Sequence, residues 1–319
     1  MNRKISTIAP LLCLVWGLAF GQRIDNTAAF RTPNASSYVR LLYDNDYFTA
    51  TDKYYTQGYT VEWVSPVLRK NPFNKILTGF KNPTTRYGLA FDHYGFTPTS
   101  IRSNEILYGD RPFAAFLALK IFSTSVDSAK NTRISSAFSV GMIGPVAFAE
   151  AMQRGIHKLM NGIDPRGWQF QIQNNAAITY EITYEKKLLA HRNFFLLYTN
   201  AQLRLGTLSN KATAGATVML GQIQSPFETA STKKFRFHGY LQPMFSLVGY
   251  DATLQGGLFR PSPYTIRASD VNRGTFQANA GLVLQYKKLH LEYAQSYLSE
   301  EFSGGGAHRW GGVRMGVLF

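Results

Sequence analysis

Beyond the first twenty or so residues the chain holds no apolar run near the roughly 18 residues that a membrane-crossing helix needs, yet segment after segment alternates apolar with polar side chains. The alternation is clearest where Phe276, Ala278, Ala280, Leu282, Leu284 and Tyr286 interleave with Gln277, Asn279, Gly281 and Gln285. It recurs at 193–206 and 212–220. A period of two is that of a strand with one apolar and one polar face. A soluble sandwich alternates too, so length decides. Soluble strands average about 5–6 residues, whereas many of these segments match the roughly 9–11 of a tilted membrane strand. Lipid offers no partner to an unpaired backbone group, so strands that cross it must close into a barrel.

Candidate strands fall at about 36–48, 54–65, 85–95, 113–124, 133–143, 174–186, 193–206, 211–221, 235–247, 275–287, 288–298 and 308–319. They make twelve, an even number, as an up-and-down bacterial barrel requires. The expected fold is therefore all-β, a twelve-stranded antiparallel transmembrane β-barrel. Phe319 ends the chain after alternating Val313, Met315 and Val317, in the manner of an outer-membrane terminal strand. Arg3 and Lys4, the apolar stretch 5–20 and Ala19-Phe20-Gly21 read as an export signal, so residues 1–21 are expected to be removed and 22–319 to form one barrel domain. Cys13 would leave with that signal, and the mature chain could form no internal disulfide. The net charge of +15, two units of it from Arg3 and Lys4, is scattered without a basic run or a nucleic-acid motif. Anionic lipid is the better partner for it, and nucleic acid is not expected.

With both termini in the periplasm, Lys287-Lys288 becomes a tight periplasmic turn, and loops at about 96–112, 144–173, 248–274 and 299–307 face outward. The connection 66–84 is unusually long for the periplasmic side. In the 144–173 loop, Gly144-Pro145 can start a helix, 146–161 reads as helical, and Gly162 and Pro165 stop it. Phe148, Met152, Ile156 and Leu159 share a face expected to lie on the barrel, and Glu150, Gln153 and His157 share a neighbouring one.

This topology gathers three polar groups at the exterior end: Asp44-Asn45-Asp46, the segment Thr51 to Gly58, and His157. Asn45, Asp46 and Thr56 offer the oxygen ligands that a hard cation such as Ca²⁺ takes, and a histidine can act as a general base. Each has a plainer reading. Asp-Asn-Asp is a good turn sequence, Thr56 could line the lumen, His157 could be a surface residue, and Asp110-Arg111 could be a loop ion pair.

The run 42–58, LYDNDYFTATDKYYTQG, resembles the opening signature of the lipid A 3′-O-deacylase family of outer membranes. Gly109-Asp110-Arg111, then Gly144-Pro145 with Glu150, Gln153 and His157, then Gly167-Trp168 with Gln171 and Asn174 follow in the same order. The resemblance implies a twelve-stranded barrel, expected here as a monomer, with its site between wall and loop helix, in which Ca²⁺ polarises an ester of lipid A within lipopolysaccharide and a histidine activates water. It makes His157 the base. Asn45, Asp46 and Thr56 become site residues on the metal or oxyanion, Asp164 a further ligand, and Gln153 and Arg111 substrate contacts. It gives no role to His93, His191, His238, His290 or His308. Strict alternation would put Asn45 and Asp46 on opposite faces, so the strand must end or bulge there. Rival expectations are an outer-membrane phospholipase of the same chemistry and a non-enzymatic porin or adhesin. Arg40, Arg204, Glu292 and Arg314 at inward positions argue for a filled lumen.

Overall fold

The computed structural model describes residues 35–49, 53–80, 84–159, 161–228 and 235–319. The expected export signal lies outside the described residues. Twelve strands form the wall: β1 (Tyr38–Asn45), β2 (Tyr54–Val64), β3 (Arg86–Thr97), β4 (Ala114–Asp127), β5 (Thr132–Ile143), β6 (Asn175–His191), β7 (Phe195–Gly206), β8 (Ser209–Gly221), β9 (Phe235–Asp251), β10 (Gly274–Tyr286), β11 (Leu289–Leu298) and β12 (His308–Leu318). Each pairs antiparallel with its sequence neighbours, and β1 pairs with β12 from Tyr38–Leu318 to Asn45–Gly311, closing the barrel. The twelve-stranded expectation holds. So does the turn at Lys287-Lys288, where Lys287 takes φ 51°.

The two faces of the wall invert the soluble pattern. Val39, Leu41, Val61, Trp63, Leu119, Val140, Ile178, Leu241, Phe245 and Val317 are exposed on the outside, and the charges are buried within. Cross-strand neighbours supply most of the inner ion pairs: Arg40–Glu62 at 2.8 Å, Arg133–Glu185 at 2.6 Å and Arg204–Glu181 at 2.5 Å stand directly opposite in register. Arg314 reaches Asp44 at 2.8 Å, and Tyr240 donates to Glu292 at 2.7 Å. Breaking one such pair strands its partner in a dry interior, which typically costs about 3–5 kcal/mol. The inward positions of Arg40, Arg204, Glu292 and Arg314 are thus filled with paired polar bulk.

One end of the barrel carries Tyr38 and Phe319; the other carries the long loops. There Arg111, buried, donates to Glu301 and to Thr253 at 2.7 Å while its guanidinium lies 4.3 Å from the Phe96 ring centroid. Thr253 belongs to a short buried helix, Ala252–Gln255, capped by Asp251 and stopped at Gly256. That helix was not read from the sequence.

The loop helix α1 spans Ala149–Leu159, three residues shorter at its start than expected. Gly144 at φ 117° opens a 3-10 turn over Pro145–Ala147, and Phe148 at φ 47° separates that turn from the helix. The face against the barrel also differs from expectation. Ala149 and Gln153 are buried, whereas Phe148 and Leu159 are exposed. The apolar stripe is only partly covered, with Met152 and Ile156 half-buried, while the small Ala149 and Gln153 make the closest approach to the wall.

Candidate active site

Residues opposite each other across a ladder share a face, and this fixes where α1 sits. His93 stands opposite Tyr59 and Gly95 opposite Gln57, on the face that Val61 and Trp63 present to the outside. His93 is fully buried. Its Nε2 donates to the Ala147 carbonyl at 2.6 Å, and its ring stacks between Tyr59 and Phe148, both centroids 4.9 Å away. A Cβ on Gly95 would sit 3.4 Å from both Ala149 Cβ and Thr56 Cγ2, so a larger side chain would push the helix off. The helix therefore lies on the outer, lipid-facing side of β2–β4, where Ala147 and Ala149 join Ala115, Phe113 and Trp168 in one buried cluster.

Polar groups cross this contact. The β2–β3 ladder shifts register between Tyr55 and Gln57, a bulge that aims Thr56 at the helix. Gln153 Nε2 donates to Thr56 Oγ1 at 3.1 Å, and Gln153 Oε1 accepts from Trp168 Nε1 at 2.8 Å. All three are buried. Wall, helix and following loop are thereby locked through one amide. His157 follows Gln153 by one turn on the same face. Its Nδ1 is 2.6 Å from the Ile163 carbonyl, and since a carbonyl can only accept, Nδ1 carries the proton and Nε2 the lone pair. The helix end closes around it: Gly162 N–H donates to the His157 carbonyl at 2.7 Å.

Asn45 and Asp46 lie at the loop end of β1, and the strand ends at Asn45, so strict alternation does not carry on to Asp46. Asp46 opens a 3-10 turn, is buried, and accepts the Lys53 N–H at 2.9 Å, fixing the entry to β2. Asn45 stands opposite Gln57, and its Oδ1 accepts the Tyr47 N–H at 2.7 Å. A buried carboxylate, an amide and a hydroxyl are hard oxygen donors, the kind that suits Ca²⁺. Among the described residues no group of three or more His, Cys, Asp or Glu side chains gathers as a metal site, so a cation here would draw on amide, hydroxyl and backbone oxygens.

Of the other two expected residues, Arg111 is not brought to this corner, and Asp164 stands at its solvent edge, next to the Ile163 whose carbonyl holds His157. Asp164 is exposed and lies 3.8 Å from Arg154, which also pairs with Glu150 at 3.3 Å along the solvent side of α1. Arg111 lies inside the barrel mouth with Glu301 and Thr253, across the wall from Thr56. Conversely, His93 and Gln57 belong to the contact and were not singled out. The signal for His93 was available: strand parity sets a histidine on the lipid face of β3, where an apolar residue is expected. Both keep a buried nitrogen without a hydrogen-bond partner, His93 Nδ1 and Gln57 Nε2.

A family model described as "Outer membrane protein LpxR" matches residues 9–319. The chain belongs to the LpxR family. The solved structure of LpxR from Salmonella typhimurium superposes with a TM-score of 0.74 at 17% identity, covering 89% of this chain and all of that one, which shows the shared fold. The β domain of the Bordetella autotransporter BrkA covers 90% of this chain and all of its own at a TM-score of 0.45 and 8% identity. No curated protein sequence matches the chain. The LpxR match agrees with the motif resemblance and makes this an outer-membrane barrel.

Proposed function

We propose that this LpxR-family protein hydrolyses the 3′-linked acyl ester of lipid A at the outer side of its barrel wall, with the loop end facing the cell exterior. The observation that carries the reading is the imidazole of His157, held by the Ile163 carbonyl with Nε2 as the lone-pair nitrogen, one helical turn from the Gln153–Thr56 bridge to the wall. Nε2 takes a proton from water, whose oxygen attacks the acyl carbonyl. The C–O bond to the sugar then breaks, and the proton passes to the departing sugar oxygen, releasing a fatty acid. Thr56 and Gln153 hold helix and wall together around the reacting ester. Asn45, Asp46 and Thr56 would hold Ca²⁺, and a cation there supplies polarisation of the ester carbonyl.

The surroundings suit a phosphorylated glycolipid. Val146, Phe148, Leu159 and Ile163 offer exposed apolar surface for acyl chains, and the exposed Arg154, Lys158 and Arg166 offer charge for phosphates. The paired charges that fill the lumen speak against the porin reading. The test is mass spectrometry of lipid A incubated with the purified protein, with and without chelator. Loss of the 3′ acyl group, abolished by chelation and restored by Ca²⁺ better than by Mg²⁺, is expected, since Mg²⁺ demands a more regular octahedron than these donors make. Full activity in excess chelator would exclude the cation, and no deacylation of any lipid A would exclude the enzyme.

A further inference from the structure

The connection between β2 and β3 was too long to be a tight turn, and its structure shows where it goes. It makes two 3-10 turns, Pro66–Lys70 and Pro72–Ile76, each begun by a proline and capped by the side chain before it, Ser65 and Asn71. The first packs beside β3 and the second beside β4. Further on, Ser136 Oγ donates to the Thr78 carbonyl at 2.7 Å, and Thr78 N–H donates to the Tyr180 hydroxyl at 3.0 Å. Gly79 lies so close that a Cβ there would be 2.5 Å from Ser125 Oγ.

These wall residues face outward. Ser123 stands opposite Ser136, and Tyr180 opposite Phe138, on the face that carries the exposed Leu119, Val140 and Ile178. Yet Ser123, Ser125 and Ser136 are at most 2% exposed. The connection therefore folds up over the outside of the barrel at the termini end and covers a hydroxyl patch that lipid could not satisfy. Its own outer side is two-natured. Val67, Phe73 and Ile76 are exposed large apolar side chains, and Arg69, Lys70 and Lys75 are exposed between them. From Pro66 to Thr85 the sequence holds no acidic residue.

We infer that this connection is a membrane-interface foot: Val67, Phe73 and Ile76 enter the acyl region of the phospholipid leaflet, and Arg69, Lys70 and Lys75 engage its anionic headgroups. Apolar side chains alternating with cations on a segment that lies along a bilayer surface are the pattern of an interfacial element. A wall-hugging position at the level of the last strand residues sets the segment at headgroup depth. Assignment to the periplasmic leaflet rests on the orientation proposed above.

The test uses the full-length protein, with Cys13 replaced by serine, in nanodiscs of phosphatidylglycerol or phosphatidylcholine. Nitroxide labels are placed singly by Phe73→Cys, Ile76→Cys, Leu119→Cys as the lipid reference and Tyr108→Cys as the aqueous reference. Oxygen accessibility relative to a water-soluble nickel complex should rank Phe73→Cys and Ile76→Cys near Leu119→Cys and severalfold above Tyr108→Cys. Charge reversal at Arg69, Lys70 and Lys75 should lower that ratio in phosphatidylglycerol but not in phosphatidylcholine. An aqueous ratio at both foot positions would overturn the inference, and a lipid-like ratio indifferent to lipid charge would overturn its headgroup half. Labelling of Lys75→Cys by an impermeant maleimide on intact cells would overturn the leaflet assignment. None of these readings depends on deacylation, so a failure of the enzymatic reading is separately visible.

Discussion

Among the described residues, α1 at the loop end and residues 66–80 of the β2–β3 connection at the termini end both lie on the outside of this barrel, and they treat the polar groups beneath them differently. Under the connection, Ser136 and Tyr180 are bonded to Thr78, and Thr85 Oγ1 lies 2.7 Å from Ser125 Oγ. Every hydroxyl of that patch is paired. Under α1, Thr56, Gln153 and Trp168 form a chain of bonds, but His93 Nδ1 and Gln57 Nε2 are left over, and His157 Nε2 keeps its lone pair. One cover is complete and the other is not. Buried polar groups are normally satisfied because an orphan costs about 1–3 kcal/mol, and of these two covers it is α1 that leaves such groups beneath it.

The sharpest way to break this comparison is His157→Gln, which keeps size and hydrogen bonding but cannot accept a proton. Ester release should fall by about 10²–10⁴-fold, the usual contribution of a general base, while the heat-dependent electrophoretic shift of the folded barrel is unchanged. Equal deacylation by the variant would remove the distinction between the two covers. Gln153→Ala comes next. It leaves the buried Trp168 indole without its acceptor, so thermal unfolding should register a loss of about 1–3 kcal/mol, and deacylation should fall because helix and wall are no longer locked. The smallest effect is expected from Ser136→Ala, which removes one bond to Thr78. A urea midpoint should report about 0.5–1.5 kcal/mol, and deacylation should be untouched. If Ser136→Ala impaired catalysis as Gln153→Ala does, both covers would serve the site.

The wall was legible because period two is a purely local signal, repeated over more residues than a soluble strand uses. Closure followed from it. What failed to show was local conformation set by contact. The start of α1 depends on Phe148 taking φ 47° to stack on His93, a partner more than fifty positions earlier in the chain. The 66–84 connection has no period to detect, since its two 3-10 turns are too short for one. Its trace in the sequence was indirect: Ser123, Ser125 and Ser136 break the apolar face of β4 and β5 and needed a cover. Of the candidate site, His157, Gln153 and Thr56 were singled out by resemblance, and the structure bonds Gln153 to Thr56 with His157 one turn further along α1. Strand alternation alone could not have found it, because the bulge at Thr56 suspends that rule. Arg111 shows the converse: a member of a matching motif, it is turned to Glu301 and Thr253 inside the barrel mouth.

For the proposed deacylation, the position of Thr56 and α1 on the outside of the wall sets how lipid A would arrive. With the lumen filled by ion pairs, that approach would be by lateral diffusion within the leaflet, a search in two dimensions. Turnover would then follow the mole fraction of lipid A among its lipid neighbours: mixing in inert lipid would lower it, and adding water would not.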